Sequence, residues 1–396
     1  VSLDLTKVAS QVGDMVARLK ATSAERQEHL KQALSVLGEQ DANRENLKRK
    51  IAASKTTWLV AGLADGISQH HEAPPPPVEF NVIATDGSHI DVDRHRSTRC
   101  YLINIGSIVL HYGASPSAFL DSSPSLYSGD EELVIVPVAG REQPIEGVLL
   151  GIKRGVDECH HLVGLSAELP PKSLSLALLD GSLILWGLEA YPEFVTEALL
   201  DNGFLKYLED MRRLNNERKL ALASYISFPR STDVVNALRV AICPHEPADC
   251  DRYCPGSARG CDEVAGVQDR ELFMNLLGEG ERSALFISQS SIVRRRYGEH
   301  QVYFFYIRLD DEIARLEIPR WVAQDKDLLN LVHSLVLDQC RRGKGYPVAL
   351  SEAHEKAVVS GADRELFWQL VESSLIDEHL PSLASAKSRS KRARWV

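Results

Sequence analysis

Long apolar runs are missing from this 396-residue sequence. The greasiest pieces, Leu174–Leu179 and Ser182–Leu188, are parted by Asp180 and Gly181, and neither nears the ~18–20 residues that cross a bilayer. No membrane partner is therefore expected. The opening Val1-Ser-Leu-Asp-Leu-Thr-Lys lacks the charged-then-apolar order of a signal peptide. Positive charge is also short: 45 Lys and Arg against 55 Asp and Glu leave a formal charge of −10. That excludes coating nucleic acid through bulk charge, but not a local basic groove. A Gly-x₄-Gly-Lys-Ser/Thr phosphate loop is absent, which counts against an ATPase or phosphotransferase. Cysteines number only seven, an odd count, and four of them crowd into Cys243–Cys261. Such usage does not suit a secreted disulfide framework and predicts a reducing cytoplasm.

What is present is ordinary globular material, 44% hydrophobic and 25% charged, and long enough for two or three structural units. Leu5, Val8, Val12, Val16 and Leu19 recur at helical steps, and Leu30, Leu34, Leu37 and Leu47 continue the stripe through a charged stretch. The spacing predicts an N-terminal helical arm over residues 1–73, suited to packing on another helix or forming a dimer arm. Four consecutive prolines at 74–77 then form a stiff spacer. Beyond it, over 78–385, β-rich runs are expected at Phe80–Thr85, Arg99–Tyr112 and Glu132–Val138. A helix follows over Arg141–Leu165, with a fourth strand at Leu174–Leu179 and a fifth at Ala221–Phe228. Further helices are expected over Pro192–Asn215, Thr232–Val240, Asp327–Gln339 and Leu350–Ser360, and further strands at Ala284–Ser288 and Gln301–Leu309. This is the element order of an α/β, RNase H-like mixed sheet flanked by helices. The tail 386–396, with five cationic side chains and little to bury, reads as disordered.

Two of the expected strands end in Asp-Gly-Ser, at Asp86 and Asp180. Glycine allows a sharp turn there and leaves each aspartate at the sheet rim. In the proposed order the two strands are neighbours. Paired carboxylates at a rim are costly unless a divalent cation neutralises them, and hard oxygen ligands suit Mn²⁺ or Mg²⁺. Two such ions can orient a water and stabilise a leaving oxygen in phosphodiester cleavage. A third carboxylate is expected from the intervening helix: Glu158 ranks first because Leu162 and Leu165 share its face, Glu146 second, and Asp157 is also available. Farther on, Gly345-Tyr346-Pro347 leads into a helix carrying Ser351 as a candidate cap and His354 in its first turn. That histidine can bind a metal or move a proton, and the tyrosine can hydrogen-bond a phosphate or water.

With these residues in place the sequence resembles the NurA family of DNA-end-processing nucleases. The resemblance rests on Ala84-Thr85-Asp86-Gly87-Ser88, on Leu178-Leu179-Asp180-Gly181-Ser182-Leu183 and on the Tyr346…His354 pair. Gly278-Glu-Gly-Glu-Arg-Ser283 and Arg315-Leu-Glu-Ile-Pro319 add to it, and it covers roughly 80–370. It implies an RNase H-like core, Mn²⁺-dependent nuclease activity on DNA, a homodimer, and partnership with a hexameric HerA translocase in end resection. It also implies a site of Asp86, Glu158, Asp180, Tyr346 and His354, the metal held by Asp86, Glu158, Asp180 and His354. A catalytically idle, nuclease-like scaffold for DNA or a partner ATPase is the alternative from another class.

Cys243, Cys250, Cys254 and Cys261, separated by six, three and six residues, form a Cys-rich insertion over 243–261. In a reducing compartment four clustered thiols favour a metal site over disulfides, either zinc or an iron–sulfur cluster, with His245 able to replace one ligand in the zinc case. Arg294, Arg295 and Arg296, beside Tyr297, mix cations with an aromatic as strand channels do. Arg341, Arg342 and Lys344 closely precede Tyr346 and are the stronger candidates for holding phosphates.

Overall fold

The computed structural model describes residues 3–40, 43–96, 98–138, 140–256 and 259–380; the basic tail at 386–396 lies outside them. Helices α1 (Leu5–Gln40) and α2 (Arg44–Ala53) come first. Strands β1 (Phe80–Ile90), β2 (Tyr101–Tyr112) and β3 (Ser117–Tyr127) precede helix α3 (Val148–Glu168). Strand β4 (Ser175–Asp180), helix α4 (Leu205–Arg218) and strand β5 (Leu220–Ile226) follow. Next come helices α5 (Asp233–Ala241) and α6 (Asp269–Leu276), then strands β6 (Val302–Arg308) and β7 (Ile313–Pro319). Helices α7 (Lys326–Arg342), α8 (Val348–Ala357) and α9 (Gly361–Asp377) close the described chain. Among the described residues no helix is long and apolar enough to cross a membrane.

The chain divides into two compact units. The cut at Ala73/Pro74 coincides with the proline run, but the chain re-enters the first unit at Ile226–Ser291 and Tyr303–Leu316. The division is thus not an arm followed by one continuous domain. In the first unit Ala33, Val36 and Leu37 of α1 pack with Leu47 and Ile51 of α2, Val234 and Leu238 of α5, and Phe273 of α6. The earlier part of α1 stays exposed, Leu5, Val12, Val16 and Leu19 included. Within this core the Asp269 carboxylate caps α5 by accepting from the Val234 and Val235 amides, and it also accepts from the Tyr306 hydroxyl.

The second unit carries a mixed sheet in the order β3-β2-β1-β4-β5. β1, β2 and β3 are antiparallel, whereas β4 runs parallel to β1 and β5 parallel to β4. Parallel neighbours need a crossover, and helices α3 and α4 lie on those connections. Leu149, Leu150, Val156 and Leu162 of α3 are buried in one core with Ile83, Ile103, Ile105 and Ala177 of the sheet.

The third strand lies elsewhere than the sequence suggested. Residues 132–138 contribute only Val134–Ile135, paired with Gln143–Pro144 in a two-stranded ribbon, and the sheet takes Ser117–Tyr127 instead. Among the described residues strand β3 pairs with β2 alone, and it is exposed along nearly its whole length. An edge strand facing solvent has no apolar alternation to reveal it.

Candidate active site

The two Asp-Gly-Ser tripeptides do different structural work. At Asp180 strand β4 ends, and Gly181 turns the chain with φ +85°, a conformation that favours glycine. Asp86-Gly87-Ser88 is not a turn: β1 runs through it to Ile90, and Asp86 pairs with Gly106 of β2. Here the glycine serves close approach, since a Cβ at Gly87 would lie 2.6 Å from Glu158 Oε1.

Pairing of β1 with β4 stops at Thr85–Leu179, so Asp86 and Asp180 stand at the same level of adjacent parallel strands, just past their last shared rung. Side chains alternate across the pleat. Thr85 and Gly87 face α3, the Thr85 hydroxyl donating to the Glu158 carbonyl at 2.9 Å. Asp86 and Ser88 face α8: Ser88 donates to the Ala357 carbonyl, and His354 Nδ1 lies 2.7 Å from Asp86 Oδ2. Because β4 has ended, that edge of β1 is open, and groups from both faces of the sheet approach one another there.

Helix α8 is seated by Gly106, where a Cβ would come within 2.1 Å of the Ala353 carbonyl, and by Asn104, whose amide donates to the Ala357 carbonyl at 2.9 Å. The helix starts after Pro347, so His354 sits in its second turn and Ser351 is internal rather than a cap.

Glu158 is buried, and its carboxyl is pushed up to about 8, first by desolvation and then by the charges of Asp86 and Asp180, with Arg154 opposing. Arg154 Nε is 3.0 Å from Glu158 Oε1 but misaligned, so that oxygen makes no hydrogen bond. Asp180 is also raised, by desolvation and by Asp86, against a hydrogen bond from Tyr346, the Gly181 amide and the charge of His354. Burial and Asp180 in turn push the Tyr346 phenol well above its ordinary range.

The other two candidate carboxylates point elsewhere, and Glu146 precedes α3 rather than lying on it. Glu146 pairs with Arg94 at 2.9 Å, and Asp157 with Lys153 at 2.6 Å. Two residues not assigned a role from sequence support the rim. Tyr225 of β5 packs edge-on against the Tyr346 ring at 5.3 Å, and its carbonyl accepts from the Gly181 amide at 2.9 Å. Buried Glu317 fastens the turn after Asp180, accepting from the Ser182 hydroxyl at 2.7 Å and the Leu183 amide at 2.9 Å. Glu317 stands inside the Arg315–Pro319 motif, and the strand glycine at 106 is itself a sequence signal of close backbone approach.

Among the basic candidates, Arg296 is held by Asp201 at 2.7 Å and by Glu193, and Arg295 lies 3.6 Å from Glu189, while Arg294 is exposed. Arg341 and Lys344 are exposed; Arg342 pairs with Asp338 at 2.6 Å and lies over the Tyr112 ring. In the first unit Cys243, Cys250, Cys254 and Cys261 line one small cavity, whereas His245 stacks on Tyr253 and is not part of its wall. Among the described residues no three His, Cys, Asp or Glu side chains are already drawn together as the ligands of one ion.

A mixed sheet with aspartates at adjacent strand rims, a buried helix glutamate and a histidine beside them defines an α/β protein with a polar, acid-lined site. The chain belongs to the NurA family: the NurA domain model matches residues 80–359. This is a nuclease-like family, linked to DNA and to the HerA ATPase, whose nucleases generally depend on divalent metal. No curated protein matches the chain.

Proposed function

We propose that this chain is a Mn²⁺- or Mg²⁺-dependent DNA nuclease with an RNase H-like core. The observation that carries the reading is the convergence of Asp86, Asp180 and Glu158 at the open edge of β1, with Glu158 pushed up to about 8 by burial and by both aspartates. Three acids so arranged repel one another, and Arg154, 3.0 Å from Glu158 Oε1, offsets this only in part. Hard oxygen donors of this kind fit a divalent cation. Asp86, Asp180 and Glu158 would hold it, with His354 adjoining, and it would supply Lewis-acid stabilisation of charge on a phosphodiester.

The chain's own groups do the rest. His354 Nδ1 lies 2.7 Å from Asp86 Oδ2, and a ring that donates Nδ1–H there would present Nε2 for proton transfer to or from a water or a leaving oxygen. Tyr346 donates to Asp180 and fixes the direction of its carboxylate. Arg341 and Lys344 supply exposed positive charge for the phosphate backbone. Family membership supports the wider setting, work in DNA double-strand break end resection with a HerA-type hexameric translocase, as a homodimer; the cysteine usage is what suggests a cytoplasmic setting.

The test is cleavage of linear DNA with Mn²⁺ by wild type, Asp86→Asn and Asp180→Asn. Loss of activity in both variants, with unchanged thermal stability, is expected. Equal activity in all three would refute the assignment, and binding of DNA without cleavage by wild type would favour the scaffold alternative.

A further inference from the structure

The cysteine-lined cavity belongs to the first unit and plays no part in the reading above. Its wall is formed by Trp58, Arg239, Val240, Ala248 and Asp249 together with Cys243, Cys250, Cys254 and Cys261, and none of the four thiols is in a disulfide. Four cysteines separated by six, three and six residues are brought to one space by three local devices. Cys243 follows the last turn of α5, its amide bonding to the Val240 carbonyl at 3.2 Å. Cys250 opens a short helix capped by Asp249 and is tied to the segment after α2, its amide donating to the Lys55 carbonyl at 3.0 Å. Cys261 lies on a 3₁₀ turn, Gly260–Val264.

We propose that Cys243, Cys250, Cys254 and Cys261 bind a single zinc ion as a structural tetrathiolate site. Four sulfur donors are the ligand set of closed zinc sites; here Cys250 and Cys261 are buried and Cys243 and Cys254 half-buried. The space between the side chains admits about one water-sized body, which suits a single ion, whereas a four-iron cluster would need room for eight heavy atoms. The ligand set is all sulfur, because His245 is engaged with Tyr253 and Asp249 with the Arg252 amide. A zinc tetrathiolate carries two net negative charges. Arg239, its Nη2 2.7 Å from Asp262 Oδ1 and 3.8 Å from Cys261 Sγ, would share its charge between that carboxylate and the thiolates. The sulfurs line the space without forming a coordination shell, so binding an ion would require the side chains to close on it by changing rotamer.

The ion would tie the 243–261 excursion to α5 and to the Lys55 segment, and so hold the N-terminal helices on their core. Its binding energy would then be folding energy of this unit.

The full chain, purified without added metal, is expected to be colourless and to carry about one zinc by mass spectrometry of the metal. Cobalt exchanged for zinc should give the intense thiolate charge-transfer bands and red-region absorption of tetrahedral cobalt. Titration with an organomercurial should release the zinc in step with modification of about four thiols. The Cys250→Ser/Cys254→Ser variant should retain less than a tenth of the zinc and melt lower; if it fails to fold, the mercurial and cobalt measurements on wild type still decide. Zinc below about 0.1 per chain with four freely reactive thiols, a brown protein containing iron and sulfide, or zinc retained in full by the variant would each overturn the proposal.

Discussion

Gly106 and Ala353 touch as closely as a strand and a helix can: a methyl group on the glycine would come within 2.1 Å of the alanine's carbonyl oxygen. Gly106 pairs with Asp86 across the sheet, and His354 is the residue after Ala353, so this one contact sets the reach from histidine to aspartate. Gly106→Ala should push α8 outward, with a loss of about 1–3 kcal/mol of stability, as overpacking commonly gives. The Asp86–His354 hydrogen bond should open with it, and DNA cleavage should fall at least about tenfold, equivalent to about 1.4 kcal/mol in the barrier. Thermal melts and a cleavage time course check both. A variant indistinguishable from wild type would mean that α8 is not seated by this glycine.

Glu158 makes the site a proton reservoir. Its carboxyl ordinarily titrates at 4.5 and is pushed up to about 8 in the fold, so between those values the folded chain holds a proton that the unfolded chain has lost. Stability from this group is full below 4.5 and is lost as pH rises through 8, with a slope of at most about 1.4 kcal/mol per pH unit. Metal-free wild type should therefore melt progressively lower from pH 5 to pH 8, and Glu158→Gln should flatten that slope. At pH 7 a cation arriving at the acids should expel the proton. Calorimetry in buffers of different ionisation enthalpy should show proton release on Mn²⁺ binding in wild type, and much less in Glu158→Gln.

The aspartates and the histidine were legible in sequence because each sits beside a local signal, a doubled tripeptide or a tyrosine–proline entry to a helix. The reasons for those signals were less legible. Both glycines of the tripeptides read as turns, yet Gly87 lies within a strand and clears space for Glu158. Strand β3 was hidden because its residues face solvent, whereas 132–138 looked like a strand on hydrophobicity although Val136 and Val138 are exposed and Pro137 cannot join a ladder. Long-range supports such as Tyr225 and Glu317 have no periodicity that marks them; their roles exist only once β5 and β7 have been placed.

Glu317 gives the next test. Its buried carboxylate oxygen satisfies both the Ser182 hydroxyl and the Leu183 amide, the groups that hold the turn leaving Asp180. Glu317→Ala strands two donors and should cost about 1–3 kcal/mol for each left unsatisfied. Glu317→Gln keeps an acceptor of the same reach and should recover most of that stability. Cleavage should follow the same order, wild type above glutamine above alanine, measured at a temperature where all three are folded. Full activity in the alanine variant would separate this turn from the placement of Asp180.

Two clusters of arginine compete for the role of phosphate contact, and their ion pairs discriminate them. Arg296 is already neutralised by Asp201 and Glu193, so its charge is largely committed within its own unit. Arg341 and Lys344 are exposed, and they lie within a few residues of Tyr346, whose hydroxyl meets Asp180. Each phosphate contact releases condensed counterions, so removing one lowers the slope of log affinity against log salt by about 1 on duplex DNA. Arg341→Glu/Lys344→Glu should weaken DNA binding and flatten the slope by about 2 if both side chains touch phosphate. Arg296→Glu should leave the slope unchanged while lowering the melting temperature, because it sets a third carboxylate against Asp201 and Glu193. Fluorescence anisotropy across a salt series distinguishes the cases. The reverse pattern, a flattened slope only in Arg296→Glu, would move the DNA path away from Tyr346 and toward Arg294–Arg296.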